Sequence, residues 1–112
     1  MADCIFCAIV AGEIPGDVVH ESAGVIAFRD ISPSAPTHVL VVTREHFRNV
    51  AEVAVADPSL VGEIAAVAGA VAAAEGVGDD WRLVFNTGAG AGQTVFHVHG
   101  HVLGGRPLRS LG

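Results

Sequence analysis

Apolar and polar positions divide the chain into short strands followed by turns. Four short apolar runs, each bounded by turn residues, predict strands: residues 18–21, 25–29, 38–42 and 81–86. The third run is nearly all apolar, so we expect a central strand that is buried on both faces. Residues 22–24 are turn-like, and the first two strands should therefore form a hairpin.

The helical pattern is strongest between Asp57 and Gly76. Asp57 suits the N-cap and Pro58 the first helical position. Apolar residues then follow at helical spacing and form one stripe: Leu60, Ile64, Val67 and Val71. A shorter apolar run at residues 4–11, ended by Gly12, predicts a short helix. Because a parallel sheet needs several crossover helices, one long helix favours an α+β domain on an antiparallel sheet.

Three histidines alternate in the last predicted strand, residues 95–103: His97, His99 and His101. Since strand side chains alternate between faces, we expect three imidazoles on one face, about 6.6 Å apart. Imidazole serves as nucleophile, acid, base or metal ligand near neutral pH. The row therefore predicts a reaction site or a metal site, in preference to a solvent-facing polar stripe.

A glycine-rich loop, residues 87–93, comes just before this strand. Its glycines let backbone amides approach an anion closely, and Gln93 and Thr94 add side-chain donors. It is not a Walker loop, because no lysine follows the glycines. Its position puts amide donors beside a nucleophile, as phosphoryl transfer requires.

Cys4 and Cys7 have C-x-x-C spacing, which leaves three interpretations: half of a zinc site, a redox pair or two packed thiols. A redox pair normally starts a helix in a βαβ pattern, and that context is missing. A zinc site needs two further ligands, and His38, His46 and the three alternating histidines are available.

Several polar residues near predicted strand ends have two interpretations each. His38 is either a core histidine bonded to the backbone or a residue that lines the site. Asp30 either forms a turn or accepts hydrogen bonds from ribose hydroxyls. Asn86 serves either a turn or a ligand. His20, beside Glu21 on a predicted edge strand, is interpreted as a surface residue.

Composition limits the classes of function. The 112 residues are 51% hydrophobic, which suits one domain over residues 1–112, completed by a dimer interface. A net charge of −6 without a basic run argues against duplex nucleic acid as a partner, whereas a small nucleotide is compatible. The longest apolar run, residues 64–74, is shorter than the roughly 20 residues of a membrane span. With no secretory signal at residues 1–4, we expect a cytoplasmic protein that does not bind membranes.

The sequence resembles the histidine triad (HIT) family. Residues 97–103 have the family's His-x-His-x-His form followed by two apolar residues. Further landmarks occur in family order along nearly the whole chain: Cys4-Ile5-Phe6-Cys7, Asp30-Ile31-Ser32-Pro33, Pro36-Thr37-His38, Asn86, Gly92-Gln93-Thr94-Val95 and Leu103-Gly104-Gly105-Arg106. The second and the last of these motifs point to the nucleotide-binding, Hint-like branch.

The resemblance implies a HIT-like fold with an antiparallel five-stranded sheet, one long helix and one short helix. It implies a homodimer whose two sheets join into a continuous ten-stranded sheet. The implied reaction is hydrolysis or nucleotidyl transfer on purine nucleoside phosphoramidates, such as AMP joined to an amine. The alternatives are a dinucleoside polyphosphate hydrolase, a nucleotide-binding regulatory dimer with weak activity and a zinc-binding structural module.

The resemblance also implies roles for single residues. His99 would attack the α-phosphorus to form a nucleotidyl-histidine intermediate, and His101 would bond the phosphate oxygens. No catalytic cofactor is required by this scheme. The other implied substrate-binding residues are Asp30 at the ribose, the pair Gln93 and Thr94 at the phosphate and leaving group, Asn86 and Gly92 beside the phosphates, His38 lining the site, and Phe6, Ile9, Phe28 and Ile31 around the base.

Family relatives with structural zinc bind it through a C-x-x-C pair, a distal histidine and the first triad histidine. This set corresponds here to Cys4, Cys7, His46 and His97, and it would leave His97 outside the catalytic roles. One residue departs from the family pattern, because Gly100 stands where a larger apolar residue is usual. We therefore expect looser packing behind the catalytic histidines.

Overall fold

The computed structural model describes residues 4–111, which form one five-stranded antiparallel sheet with helices on both faces. The strands are β1 (Val18–Glu21), β2 (Val25–Arg29), β3 (Thr37–Thr43), β4 (Trp81–Val84) and β5 (His99–Gly104). The helices are α1 (Ile5–Val10), α2 (Val50–Ala56) and α3 (Pro58–Ala74), with a 3₁₀ turn at Ala89–Ala91. The predicted α+β class and antiparallel sheet are confirmed.

The strand order is β1-β2-β3-β5-β4. All seven residues of β3 are buried, as its nearly all-apolar sequence predicts for a central strand. β5 runs along β3 from the pair Thr37 and Gly104 to the pair Val42 and His99. The end of the histidine segment is therefore held in the middle of the sheet, where the backbone is most constrained.

The two faces of the sheet bury different side chains. On one face, the stripe of α3 packs against residues of β2 and β3, including Val25, Ala27, Val39 and Val41. On the other face, Phe6 of α1 packs against Ile26, Phe28, Leu40 and Val42. Paired residues of antiparallel strands project to the same face, so His99 opposite Val42 and His101 opposite Leu40 lie on the α1 face.

The longest helix, α3, has 17 residues. Within residues 4–111, no helix has the length and apolar content needed to cross a membrane. The expectation of no secretory signal concerns residues 1–4, and residues 1–3 lie outside the described range.

The second short helix, α2, was not predicted. Its N-cap is Asn49, whose side chain accepts a hydrogen bond from the Glu52 N–H at 2.9 Å. The Glu52 carboxylate accepts in turn from the Arg48 N–H at 2.9 Å, which resembles a capping box shifted by one residue. The capping signal was present in the sequence, but the segment shows little apolar periodicity, because Val53 is its buried residue.

The histidine strand is shorter than predicted. β5 begins at His99, and residues 95–97 form a bend before it. The Val98 N–H donates to the Phe47 carbonyl at 2.8 Å, which ties this bend to the segment before α2 and not to a strand. The predicted start of the strand is therefore wrong, because only His99 and His101 belong to it. The alternation of faces is confirmed, since Phe6 of α1 packs against the rings of both His97 and His99, at 6.0 and 4.9 Å between centroids, while Val98 belongs to the core on the α3 face.

The predicted looser packing at Gly100 is also wrong. Gly100 projects to the α3 face, where a Cβ would lie 2.7 Å from Leu83 Cδ1 and 3.2 Å from two ring atoms of Phe85. Real Cβ atoms do not approach neighbours as closely as 2.7 Å. The space that a larger residue would use is thus already filled by side chains that follow one another along β4 and its extension.

Candidate active site and the adjoining cysteine–histidine cluster

Five of the six histidines gather in two neighbouring clusters. The first, which we call the triad cluster, contains His38, His99 and His101, with the rings of His99 and His101 5.0 Å apart. The second, the Cys/His cluster, contains His46 and His97, whose rings are 4.8 Å apart, together with Cys4 and Cys7. His97 thus belongs to one cluster and His99 to the other, although both rings pack against Phe6 on the α1 face.

His99 is oriented by its own chain. Its Nδ1 lies 2.7 Å from the carbonyl oxygen of His97. A carbonyl can only accept, so this contact places the proton on Nδ1 and leaves the lone pair on Nε2. Burial lowers the pKa of His99, which keeps the ring neutral near neutral pH. The Phe6 ring packs edge-on against it at 4.9 Å and excludes water from one side.

A hydrogen-bond chain fixes the tautomer of His101. The Ser34 N–H donates to His38 Nδ1 at 2.9 Å, so the proton of neutral His38 is on Nε2. His38 Nε2 lies 2.9 Å from His101 Nδ1, which must accept, and His101 therefore carries its own proton on Nε2. Burial, assisted by the neighbouring His99 and His38, lowers the pKa of His101 to about 4. A neutral His101 thus presents one N–H donor beside His99.

Asp30 adjoins this chain. Its Oδ1 accepts from the Ser32 N–H at 2.7 Å, and its Oδ2 lies 3.4 Å from His38 Nε2. The contact with the Ser32 N–H is the one expected of a turn-forming aspartate, and the contact with His38 brings the carboxylate to the histidines. His38 likewise combines its two interpretations: it is hydrogen-bonded to the backbone N–H of Ser34, and it contacts His101.

Asp30, His38 and His101 also bring three potential metal-ligand atoms together. A cation at this point would need a lone pair on His38 Nε2. The Ser34 N–H already uses the lone pair of His38 Nδ1, which places the proton on Nε2. The arrangement is therefore a hydrogen-bonded relay rather than a metal site.

The Cys/His cluster brings four potential ligand atoms within 4.8 Å of one another. Cys7 Sγ lies 3.3 Å from His46 Nδ1 and 3.5 Å from His97 Nδ1, and Cys4 Sγ lies 3.4 Å from His97 Nδ1. His97 Nε2 is 2.7 Å from the Thr43 carbonyl, so Nε2 donates and the Nδ1 lone pair faces the sulfurs. In a tetrahedral zinc site, sulfur and nitrogen ligands are about 3.5 Å apart, and the observed separations match.

The cysteines lack the properties of a redox pair. Both are free thiols. Burial raises the pKa of the Cys7 thiol, and Cys4 acts in the same direction. Reactive cysteines have a lowered pKa, because the thiolate is the nucleophile.

Gln93 does not face the place expected for a phosphate. Its side chain is buried, and its Nε2 donates to the carbonyls of Arg48 at 2.8 Å and Val95 at 3.1 Å. Its Oε1 accepts from the Gly88 N–H at 2.9 Å. The amide thus braces the glycine-rich loop against the segment before α2.

The other expected phosphate residues lie in this loop or next to it: Gly92 and Thr94 are exposed, and Asn86 is half-buried. Gly92 has a φ of +99°, and a Cβ there would lie 3.8 Å from Asn86 Nδ2, so the two residues are neighbours. Thr94 is exposed and lines a cavity of about 420 Å³ together with Cys4 and His46.

The expected base-binding residues are only partly brought together. Phe6 and Phe28 are buried, with ring centroids 5.4 Å apart in an edge-to-face contact. Ile9 packs against the same apolar cluster. Ile31 is 98% exposed and takes no part in it.

Sequence reasoning missed the residues that act through their backbone. The Ser34 N–H sets the tautomer of His38, and the Thr43 carbonyl sets that of His97. Every residue except proline offers these groups, so no side-chain pattern could have identified them.

Comparison with known proteins identifies close relatives. Residues 11–108 match the family model described as the HIT domain. A purine nucleoside phosphoramidase of Escherichia coli K12 is 43% identical over 107 residues, which cover 95% of this chain and 90% of that protein. Protein HitA of Neisseria gonorrhoeae is 40% identical, with 93% and 97% covered. The solved structure of a HIT family hydrolase from Clostridium thermocellum has a TM-score of 0.93 and 39% identity, and covers 99% of this chain and 97% of that one.

Proposed function

This chain belongs to the HIT family, and we propose that it is a purine nucleoside phosphoramidase that uses His99 as its nucleophile. The observation that carries the proposal is the pair of neutral tautomers in the triad cluster. His99 keeps a lone pair on Nε2, while His101, 5.0 Å away between ring centroids, offers a proton on Nε2. The similarity to the Escherichia coli phosphoramidase supports this substrate class.

In the proposed first step, His99 Nε2 attacks the α-phosphorus of an AMP–amine conjugate. A bond forms between nitrogen and phosphorus, the bond to the amine nitrogen breaks, and the amine leaves with a proton from solvent. The His97 carbonyl, bonded to Nδ1–H, stabilises the positive charge that develops on the ring. His101 Nε2–H donates to a phosphate oxygen, where negative charge increases in the transition state.

In the second step, water attacks the phosphorus of the nucleotidyl-histidine. The bond to His99 breaks, AMP is released, and the proton lost by water returns to solvent. This division into two displacements lets a neutral imidazole serve as both a good nucleophile and a good leaving group.

The proposed substrate contacts are those that the family resemblance implies. We place the ribose hydroxyls at Asp30 and the phosphate beside Asn86, Gly92 and Thr94. The base would lie near Phe6, which contacts the His99 ring, with the other apolar residues around it: Ile9, Phe28 and Ile31. Gln93 contributes by bracing the loop that carries the phosphate neighbours.

We further propose that Cys4, Cys7, His46 and His97 hold a structural zinc ion. Two thiolates and two imidazoles form a ligand set that suits zinc, and the ligand separations fit a closed tetrahedron. A closed site of this type stabilises the fold and performs no chemistry. It would join α1, through its two cysteines, to the end of β3, where the Thr43 carbonyl orients His97.

The proposed homodimer would form through β4. This strand lies at one edge of the sheet and pairs only with β5 within residues 4–111. Antiparallel pairing of two β4 strands across a two-fold axis would produce a continuous ten-stranded sheet. Sedimentation equilibrium tests this state, and Leu83→Pro should reduce the assembly to monomers. The cytoplasmic location stays a prediction.

The experiment that tests the function compares adenosine 5′-phosphoramidate with diadenosine tetraphosphate as substrates. Release of AMP from the phosphoramidate alone supports the proposal. Cleavage of the dinucleotide alone identifies a dinucleoside polyphosphate hydrolase instead. Binding of AMP without turnover of either compound identifies a regulatory nucleotide-binding protein.

A further inference from the structure

We propose that Arg106 is a positioning residue, which holds the loop of residues 31–34 so that the Ser34 N–H fixes the tautomers of His38 and His101. The loop carries no catalytic side chain in the mechanism above. Its backbone nevertheless supplies the first donor of the relay that ends on His101 Nε2. Arg106 would therefore act on the reaction centre through three intermediate groups.

The guanidinium of Arg106 donates hydrogen bonds to two backbone carbonyls. Its NH2 group donates to the Ser34 carbonyl at 2.7 Å, and its NH1 group donates to the Pro107 carbonyl at 3.0 Å. Within residues 4–111 it forms no ion pair with a carboxylate, although the chain has a net charge of −6. The two N–H groups of the guanidinium thus connect Pro107, which follows β5, to Ser34 in the loop.

The loop has few other constraints. Residues 31–34 are all exposed, and Ile31 is 98% exposed, so apolar burial does not fix their position. In the described part of the chain, the loop makes three polar contacts: the Ser32 N–H on Asp30, the Ser34 N–H on His38, and the Arg106 contact with the Ser34 carbonyl. Loss of one of these three should therefore change the position of the Ser34 N–H.

Gly105, the residue before Arg106, packs closely against Pro36, two residues after Ser34. Its φ is +96°, and a Cβ there would lie 2.8 Å from Pro36 Cβ. The missing side chain lets Pro36 approach the end of β5, which brings Arg106 within reach of Ser34. Two neighbouring residues thus hold the loop by different means, one by close approach and one by hydrogen bonds.

Without the Ser34 N–H, the hydrogen bond between His38 and His101 is no longer restricted to one direction. Neutral His38 can then place its proton on Nδ1 as well as on Nε2, and only the Asp30 carboxylate, 3.4 Å from Nε2, still favours the second form. In the first form His38 Nε2 accepts from His101, whose proton moves to Nδ1 and no longer points to the substrate. A mixture of tautomers would lower the fraction of enzyme that can donate to the phosphate, and kcat would fall more than KM rises.

The test compares Arg106→Met with the control variant Arg109→Met. Arg109 carries the same charge three residues further on and forms no hydrogen bond or ion pair in the described part of the chain. The readouts are the ¹⁵N chemical shifts of the His101 ring without substrate, kcat and KM for adenosine 5′-phosphoramidate, and the melting temperature. The kinetic readout depends on the proposed function, whereas the NMR readout does not.

We expect Arg106→Met to shift the His101 nitrogens towards a mixture of tautomers and to lower kcat roughly threefold to tenfold, with KM within about twofold. Arg106→Lys, which can still donate to Ser34, should recover part of both effects. Arg109→Met should change neither. In a His38→Ala background, Arg106→Met should have little further effect on kcat, because the relay is already broken.

A His101 tautomer that is unchanged in folded Arg106→Met would overturn the proposal, whatever happens to turnover. A fall in kcat with an unchanged tautomer would mean that Arg106 acts on the substrate directly. If the wild-type protein does not hydrolyse phosphoramidates but the tautomer still shifts, the positioning role stands and the proposed function fails.

Discussion

His97 and His99 are two residues apart, yet they belong to different clusters. Each donates one ring N–H to a backbone carbonyl at 2.7 Å. His97 uses Nε2 for this bond, and its free Nδ1 faces two sulfurs. His99 uses Nδ1, and its free Nε2 remains for chemistry. Both residues are histidines, so the difference comes from which ring nitrogen donates to a carbonyl. That choice determines which nitrogen keeps the lone pair and which groups the lone pair faces.

This difference predicts opposite phenotypes for the two clusters. Changes in the triad cluster should reduce turnover with little effect on stability. Changes in the Cys/His cluster should reduce stability with little effect on turnover.

His99→Ala should lower turnover of adenosine 5′-phosphoramidate by about a thousandfold or more, because it removes the proposed nucleophile. Binding of AMP should remain within a few-fold of wild type, measured by isothermal titration calorimetry. His20→Ala, on the edge strand β1, is the matched control and should leave kcat unchanged. Normal turnover by His99→Ala would contradict the assignment of the nucleophile.

Cys4→Ser should cost about 2 kcal/mol or more of stability, because it removes one ligand of the proposed structural zinc site. For a domain of this size, the melting temperature should fall by roughly 8–12 °C, while kcat stays within about twofold. Zinc content is measured on the same samples, and a chelator should lower the melting temperature of wild type but not of the variant. A large fall in kcat with an unchanged melting temperature would exclude a purely structural role.

Gly100→Ala should destabilise the protein by about 1–3 kcal/mol, because its methyl group would overlap Leu83 on the α3 face. Gly62→Ala is the matched control in the exposed part of α3, where nothing lies within 4 Å of the new Cβ. That variant should gain about 0.5–1 kcal/mol from helix propensity. Urea denaturation of both variants checks the pair, and equal effects would mean that Gly100 is not tightly packed.

Acid should affect turnover only weakly down to pH 5.5. His101 has a pKa of about 4, below its ordinary value of 6.5, so the neutral donor form persists through this range. Burial lowers the pKa of His99 as well, so we expect kcat to fall by less than the roughly tenfold that histidines of ordinary pKa would give between pH 7.5 and 5.5. A tenfold loss over the same interval would show that the active histidines titrate at an ordinary pKa.

The same shift determines the sign of the effect on stability. Because the pKa of His101 is lower in the folded protein, its neutral form contributes stability above about pH 6.5. This contribution is lost as the pH falls through 4. His101→Gln should therefore flatten the decrease in stability between pH 6.5 and 4, measured by thermal unfolding.

Local patterns predicted most of the fold. The all-apolar run of β3, the stripe of α3 and the turns between strands each depend on neighbouring residues, and all were found close to their expected positions. The apolar pattern failed for α2, which is short and buries little, and for the start of β5, where alternation continued through residues that form a bend.

Periodicity and motif spacing are local properties, so the amino-acid sequence was sufficient to predict the sheet, the long helix, the family and the set of candidate residues. The division of the histidines, the fit of Gly100 and the contacts of Gln93 became visible only in the folded chain. These outcomes depend on groups distant in the chain: the Thr43 carbonyl beside His97, Leu83 beside Gly100 and the Arg48 carbonyl beside Gln93. Backbone carbonyls and N–H groups are the same at almost every residue, so their partners are decided only when the chain has folded.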